Sequence, residues 1–491
     1  MWPRRNLGLR SVRVLTRKGT ARRNVTGLAA LFLIAGIGPA AAQESIDLSE
    51  AIQRALERNR ELVRSALATG SSELRVTDAR AEFQLRVRPE VTADVFGSDS
   101  FVGYGLLTSK KLTQGTELSL TGRVARLTNE FDEPDDMELH RGSVRVEIRQ
   151  PLLRNFGSLV HREPMVQANS DLQRARRRFE LQRTDLVLEV VRTYEEILRL
   201  EQRVRADNDS FERMDALYEV TEAKAAHGRT TRVDTLRVSL LRGEALARLE
   251  TSQERLESTR QDFAELLGQP PDTVFELTQP ALLDIDVPGP EEAVRTALAN
   301  RLDYAQVLQD AEDSGRRLRI ARRRFLPDLV LVAGHEWFGE DPSRSRAIQL
   351  DDNRWFVGLA AGTDLNLTRD RIAVGQAELN QSAVQQTVEI VELSIARQVQ
   401  QQLLAYRRAQ GELKISERNQ ELAENRLKVA RRFFEMGRGD NFSVTDAEEA
   451  FLQSENRWLS SRAEASISGY RLFRALGNLL PAPQDLKPRS R

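Results

Sequence analysis

Most of this 491-residue chain repeats itself at two constant offsets, and that duplication limits the folds open to it more than any other feature. Glu50-Ala51-Ile52-Gln53-Arg54-Ala55-Leu56 matches Glu292-Ala293-Val294-Arg295-Thr296-Ala297-Leu298, an offset of 242 that also carries Ala79 onto Ala321 and Phe83 onto Phe325. An offset of 209 then carries Gln167-Ala168 onto Gln376-Ala377, Gly228 onto Gly437 and Gly268 onto Gly477. Each half therefore reads as a helix, a middle segment, a long helix, a glycine turn and another helix. Phe83 to Gln167 spans 84 positions and Phe325 to Gln376 spans 51, so the first middle segment holds 33 extra residues.

The helices are long. Between Pro164 and Ala226 there is no further proline and no glycine, which is about 95 Å of helix at 1.5 Å per residue. Residues 371–436 lack proline and hold only Gly375 and Gly411 before the turn. There Val384, Val388, Val391, Ile395, Val399, Gln402, Tyr406, Ala409 and Leu413 recur at a mean spacing of about 3.6, the period of a nearly straight helix. Such a stripe is ordinary helix–helix core. The helices after the two turns, 233–267 and 442–476, are about half as long.

The middle segments carry strand alternation instead. Trp355, Val357, Leu359, Ala361, Leu365 and Leu367 alternate with Phe356, Gly358, Ala360, Gly362, Asp364 and Asn366. Val144, Val146 and Ile148 alternate with Ser143, Arg145, Glu147 and Arg149, and Leu118, Leu120 and Val124 with Glu117, Ser119, Thr121 and Arg123. The neighbouring helices run away from these strands as rods, so lipid is the expected cover for the apolar face. About two strands per half makes four per chain, and small closed barrels need about eight. Since every strand edge must be paired in lipid, at least two chains must share one barrel.

The N-terminus reads as an export signal. Arg4, Arg5, Arg10, Arg13, Arg17, Lys18, Arg22 and Arg23 precede the apolar run Leu28 to Ile37, and Ala40-Ala41-Ala42 supplies small residues for cleavage near Gln43. Gly36, Gly38 and Pro39 interrupt the run, which is short for a membrane span. Lys+Arg and Asp+Glu both number 73, which argues against a binder of nucleic acid held by phosphate neutralisation. Cys is absent, which excludes disulfides, thiolate metal sites, a Cys nucleophile and a lipidated N-terminal Cys.

In order, spacing and duplication, the chain resembles the TolC family of outer membrane efflux proteins over roughly Ile46 to Leu480. Leu48-Ser49-Glu50-Ala51-Ile52 with Ala55-Leu56 and Asn59 is similar to the family's first-helix signature. Glu292-Ala293 with Ala297-Leu298 and Asn300-Arg301-Leu302-Asp303 is similar to its second copy, and Gln150-Pro151-Leu152-Leu153-Arg154 to the return from strands to rod. The resemblance implies a mainly α fold with a β-barrel part. A homotrimer would share a 12-stranded barrel in outer membrane lipid above a coiled-coil α-barrel in the periplasm. The implied organisation is a signal peptide over 1–42, a first repeat over 43–285 (strands about 89–150, helices about 164–226 and 233–267), a second over 286–480 (strands about 327–367, helices about 371–436 and 442–476) and a tail over 481–491. Substrate would pass through the lumen, handed over by an inner-membrane transporter (RND, ABC or MFS type) and a periplasmic adaptor, and the chain itself would catalyse nothing and hold no cofactor. The sequence departs from the family in lacking a common proline after Asn59 and after Arg301, and in placing Asn366 at a usual proline site.

The resemblance also assigns roles at the two rod-to-rod turns. His227, Gly228, Arg229, Met436, Gly437 and Arg438 stand at the adaptor-docking tips, in an altered form of the family motif. Asp446 matches a position lining the periplasmic gate. Ser443 stands where a second acidic ring is usual, and Asp440 is available to replace it. Asp234 and Phe434 match inter-hairpin tip contacts. Read without the resemblance, glycine ends a helix and Asp or Ser caps the next. The acidic segment 129–138 is expected in an extracellular loop, with 339–353 as its counterpart. His140, His161, His227 and His335 show no metal-ligand spacing, and no nucleophile elbow, Walker or dinucleotide motif occurs. The competing readings are a periplasmic coiled-coil scaffold or adaptor without a channel, and an exported enzyme.

Overall fold

The computed structural model describes residues 44–96, 99–129, 137–227, 230–283 and 285–488. The expected signal peptide and residues 130–136 of the acidic segment lie outside them. The first half runs β1 (Glu44–Ile46), α1 (Leu48–Arg58), α2 (Arg60–Ala81), β2 (Arg86–Phe96), β3 (Asp99–Lys111), β4 (Glu117–Asn129), β5 (Met137–Pro151), a short α3 (Ser158–His161), α4 (Glu163–Ala226) and α5 (Arg232–Leu266). The second runs β6 (Phe275–Leu277), α6 (Pro290–Asn300), α7 (Leu302–Arg322), β7 (Asp328–Asp341), a short α8 (Arg344–Ala347), β8 (Asp352–Gly362), α9 (Thr368–Glu435) and α10 (Asn441–Leu476). The 64 residues of α4 and 68 of α9 make rods of about 96 and 102 Å.

The two halves fold alike at matching positions. Where the family proline is missing, Asn59 and Arg301 adopt nearly the same extended conformation (ψ 125° and 123°) and break one helix from the next. Asn59 also accepts from Leu62 N and donates its side-chain amide to Leu266 O at 3.1 Å, so a side chain replaces what a rigid ring would do. Ala51, Ala55, Val190, Phe263 and Leu267 are buried in one core, and their repeat partners Ala293, Ala297, Val399, Leu472 and Leu476 in the other. The predicted stripe on α9 supplies the second core through Val388, Ile395, Val399 and Tyr406, with Leu403 beside it. Tyr194, fully buried, directs its hydroxyl to the main chain of Ile46 and of Thr278, beside the parallel pair β1–β6.

Six strands form one antiparallel sheet in the order β2-β3-β4-β5-β7-β8. The alternation predicts four, and the difference is the 33 extra residues, which provide a further hairpin in the first half. Its inner turn is built onto the helical part: Gly157 N donates to Gln114 O at 3.0 Å, and Thr116 Oγ1 donates to Gln150 Oε1. Leu365 and Leu367 lie past the end of β8, where Asp364 and Asn366 accept from main-chain N–H groups at the start of α9. The segment expected as an open loop at 339–353 instead continues β7 to Asp341 and includes α8.

Gly268 and Gly477 close the two repeats in the left-handed region, at φ 71° and 73°. A Cβ would meet Arg58 O at 2.4 Å in the first and the Asn300 carbonyl carbon at 3.0 Å in the second. Left-handed backbone costs alanine about 1–2 kcal/mol in either place, and only the first adds a hard main-chain clash. Gly268→Ala should therefore lower the thermal unfolding midpoint in detergent more than Gly477→Ala. Equal shifts would count against this difference in packing.

Candidate functional site

The turns at the rod ends are built by local capping. His227 Nδ1 lies 2.8 Å from Ala223 O at the end of α4, while Gly228 and Arg229 lie outside the described residues. Thr231 and Asp234 form a reciprocal capping box at the start of α5, with Thr231 Oγ1 donating to Asp234 Oδ2 at 2.6 Å. At the other turn Gly437 is left-handed, and Arg438 N donates to Phe433 O at 2.9 Å, leaving Met436 and Arg438 exposed. Asp440 caps α10, accepting from Ser443 N at 2.9 Å and from Ser443 Oγ at 2.5 Å. These bonds favour the ionised form and hold the carboxyls of Asp440 and Asp234 below the usual range.

Among the expected gate residues, Asp440 and Ser443 thus bind each other. Asp446 reaches another helix: its carboxylate pairs with Arg426 of α9, both side chains being about half exposed. Phe434 joins the two hairpins. It packs against the cluster of Met214, Leu217, Val238 and Val444, with Lys224 Nζ 3.9 Å from its ring centroid. Asn441 Nδ2 donates to Thr221 Oγ1 at 3.2 Å, and Arg213 grips the buried Glu448 with Nη2 at 2.6 Å and Nε at 2.8 Å. The sequence reading did not single out Arg213 or Glu448. A signal existed, since Glu448 interrupts the apolar series Val444, Leu452 and Leu459 on α10.

The sheet has two chemically distinct faces. Register places Val91, Tyr104, Val124, Val146, Leu331, Val357 and Leu359 on one face with Leu118, Leu120, Ile148 and Trp355. Many of these large side chains are exposed in the single chain. The other face carries ion pairs. Glu336, almost fully buried, bridges Arg145 at 2.9 Å and Arg354 at 2.5 Å, and Arg141 pairs with Glu340 at 3.0 Å. Glu90 lies 3.2 Å from Arg88 and 3.6 Å from Arg123. Among the described residues, no helix is long and apolar enough to cross a membrane, and no group of three or more His, Asp or Glu is placed to hold a metal.

Two buried acids give measurable consequences. Removing one partner of a buried ion pair leaves the other charge stranded and costs about 3–5 kcal/mol. Arg213→Met should cost that much in urea unfolding, and Arg213→Met with Glu448→Leu should recover most of it. Additive losses would argue against coupling. Glu195 is buried on α4, and burial raises its pKa from 4.5 against the opposing hydrogen bond from Ser466 and the charge of Arg462. A raised carboxyl favours the protonated fold, so its contribution is complete below the unfolded value and is lost as pH rises through the folded one. Glu195→Gln should therefore raise the thermal midpoint near neutral pH and leave it unchanged below the unfolded value. A uniform shift across pH would exclude titration as the cause.

Residues 293–478 match the family model described as Outer membrane efflux protein. Nodulation protein T of Rhizobium leguminosarum bv. trifolii is 22% identical over 191 residues, a match that spans 38% of this chain and only 40% of that relative. Among solved structures, the outer-membrane channel OprN superposes with a TM-score of 0.69 at 17% identity, covering 88% of this chain and 90% of that one. VceC of Vibrio cholerae gives 0.67 at 17% (88% and 96% covered), and CmeC of Campylobacter jejuni gives 0.69 at 11% (88% and 86% covered). At these identities the structures show a shared fold. The second repeat thus matches the model of the outer membrane efflux proteins, and the described chain shares the fold of these outer membrane channels, in line with the family resemblance read from the sequence.

Proposed function

We propose that the chain is one subunit of a homotrimeric outer membrane duct that extends into the periplasm. It is a passive exit path in a tripartite efflux or type I secretion system. Substrate comes from an inner-membrane transporter of RND, ABC or MFS type through a periplasmic adaptor. The observation that carries this reading is the sheet. One face is apolar and exposed, the other is lined with Arg–Glu pairs, and among the described residues both outer edges are open at the end of rods about 100 Å long. Strands of 11 to 15 residues are long enough to cross hydrocarbon at a tilt, which takes about 9–11. A periplasmic scaffold has no use for such a face.

A second apolar stripe supports assembly from several copies. Leu379, Ile390, Leu404, Ile415, Leu422 and Val429 of α9 are each more than half exposed. At about 100° per residue they fall within roughly 60° of arc, opposite the stripe that packs inside the chain. A neighbouring subunit's rods are the natural cover. The adaptor would engage the tips at His227, Gly228, Arg229, Met436, Gly437 and Arg438. Phe434 would hold the two hairpins together there, with Asp234 fixing the start of α5.

The gate would lie at Asp446, one turn past the Asp440–Ser443 cap. Three copies of the Asp446–Arg426 pair around an axis place carboxylates and guanidiniums alternately at the narrow end. Asp446→Ala should weaken divalent-cation block and shift selectivity towards anions, and Arg426→Ala should tighten that block. Planar-bilayer recording of the detergent-solubilised protein tests both levels. A conducting trimer with unaltered variants removes the gate assignment, and a water-soluble monomer removes the duct.

A further inference from the structure

The sheet holds six strands, and its two outer edges are complementary to each other. Among the described residues β2 pairs only with β3, and β8 only with β7. In hydrocarbon an open edge leaves a row of N–H and C=O groups without partners, each costing several kcal/mol. Both edge strands contain 11 residues. The six strands alternate in direction, so the last runs opposite to the first, and β8 of one copy can continue the antiparallel order onto β2 of the next.

We propose that β2 of each subunit pairs with β8 of its neighbour, so that three copies close a barrel of eighteen strands. This rests on the trimeric duct reading above. With the strand ends flush, Arg86 stands opposite Gly362, and paired residue numbers sum to 448. Odd positions then meet odd positions. Val87, Val91 and Val95 join Trp355, Val357 and Leu359, and the apolar face continues across the junction without a break. A slip of one residue would put valines against the charged face. The same register sets Asp94 opposite Arg354. A slip of two either way sets Asp94 opposite Asp352 or Phe356 instead. Pro89 lacks an N–H, so β2 makes one ladder bond fewer near its helix end.

The added hairpin is part of the wall. β3 and β4 pair through twelve residues each, from Ser100↔Thr128 to Lys111↔Glu117, and their turn is hydrogen-bonded onto the chain entering α3. Barrel diameter grows about linearly with strand number, and barrels of 16–18 strands leave an aqueous channel. The strand region is therefore a wide mouth, and the restriction to flow lies at the helix tips.

The native chain contains no cysteine, so introduced thiols are the only ones present. Asp94→Cys with Arg354→Cys, in the full chain in the outer membrane, should oxidise to covalent dimers and trimers on a denaturing gel. Val91→Cys with Val357→Cys tests the same register on the other face and leaves the charges intact. Asp94→Cys with Asp352→Cys should give several-fold less product. Val91→Cys with Tyr104→Cys, paired within one chain, is the control for reactivity and should remain monomeric. If that control oxidises and the detergent-extracted protein is a conducting trimer, yet every β2–β8 pair stays monomeric, the eighteen-strand closure is wrong and the duct stands. If the extracted protein is a monomer that does not conduct, the duct reading falls and the closure with it.

Discussion

A backbone hydrogen-bonding group that enters hydrocarbon must bring its partner with it. The duct reading turns on meeting that demand with a sheet too small to close. Among the described residues the strands bond to one another across five rows and leave two outer rows open. Six strands are fewer than the eight or so at which a barrel interior just holds its side chains, so pairing β2 with β8 within one chain would leave too little room for the ionic inner face. In the trimeric duct proposed above, the unit that satisfies the backbone is larger than one chain.

The helices answer a different requirement. Rods about 100 Å long cannot fold back into a sphere, so each buries a narrow stripe against the helix that follows it, α4 against α5 and α9 against α10, and leaves the rest to other helices and to solvent. In α9 the two stripes lie on opposite sides, one ending in the core around Val399 and Tyr406, the other exposed from Leu379 to Val429. The polar links between hairpins, Arg213 to Glu448 and Asn441 to Thr221, fix how α4 and α10 align. Hydrophobic stripes alone tolerate sliding by a turn, whereas a bidentate ion pair does so only with loss of both bonds.

Much of the architecture was readable because duplication turns weak local signals into paired ones. Ala51 and Ala293 are both fully buried, and Gly268 and Gly477 both turn left-handed. The site was less readable. The Asp440–Ser443 cap follows from local capping chemistry that the residues already suggest, whereas the gate role of either rests on the family resemblance. Glu448 looked like one acid among many until the packing of α10 on α4 buried it. The added hairpin was visible as 33 surplus residues, but its pairing was not, since alternation shows a strand's faces and says nothing of its neighbours.

Order along the chain, helix period, strand alternation and the two offsets are properties of consecutive residues, so the sequence alone determined the repeated rod-and-strand plan. The order of the strands in the sheet, the burial of Glu448 against Arg213 and the pairing of Asp446 with Arg426 depend on residues far apart in the chain. Those were decided only by the tertiary structure, because hydrogen bonds and ion pairs select partners by position in space.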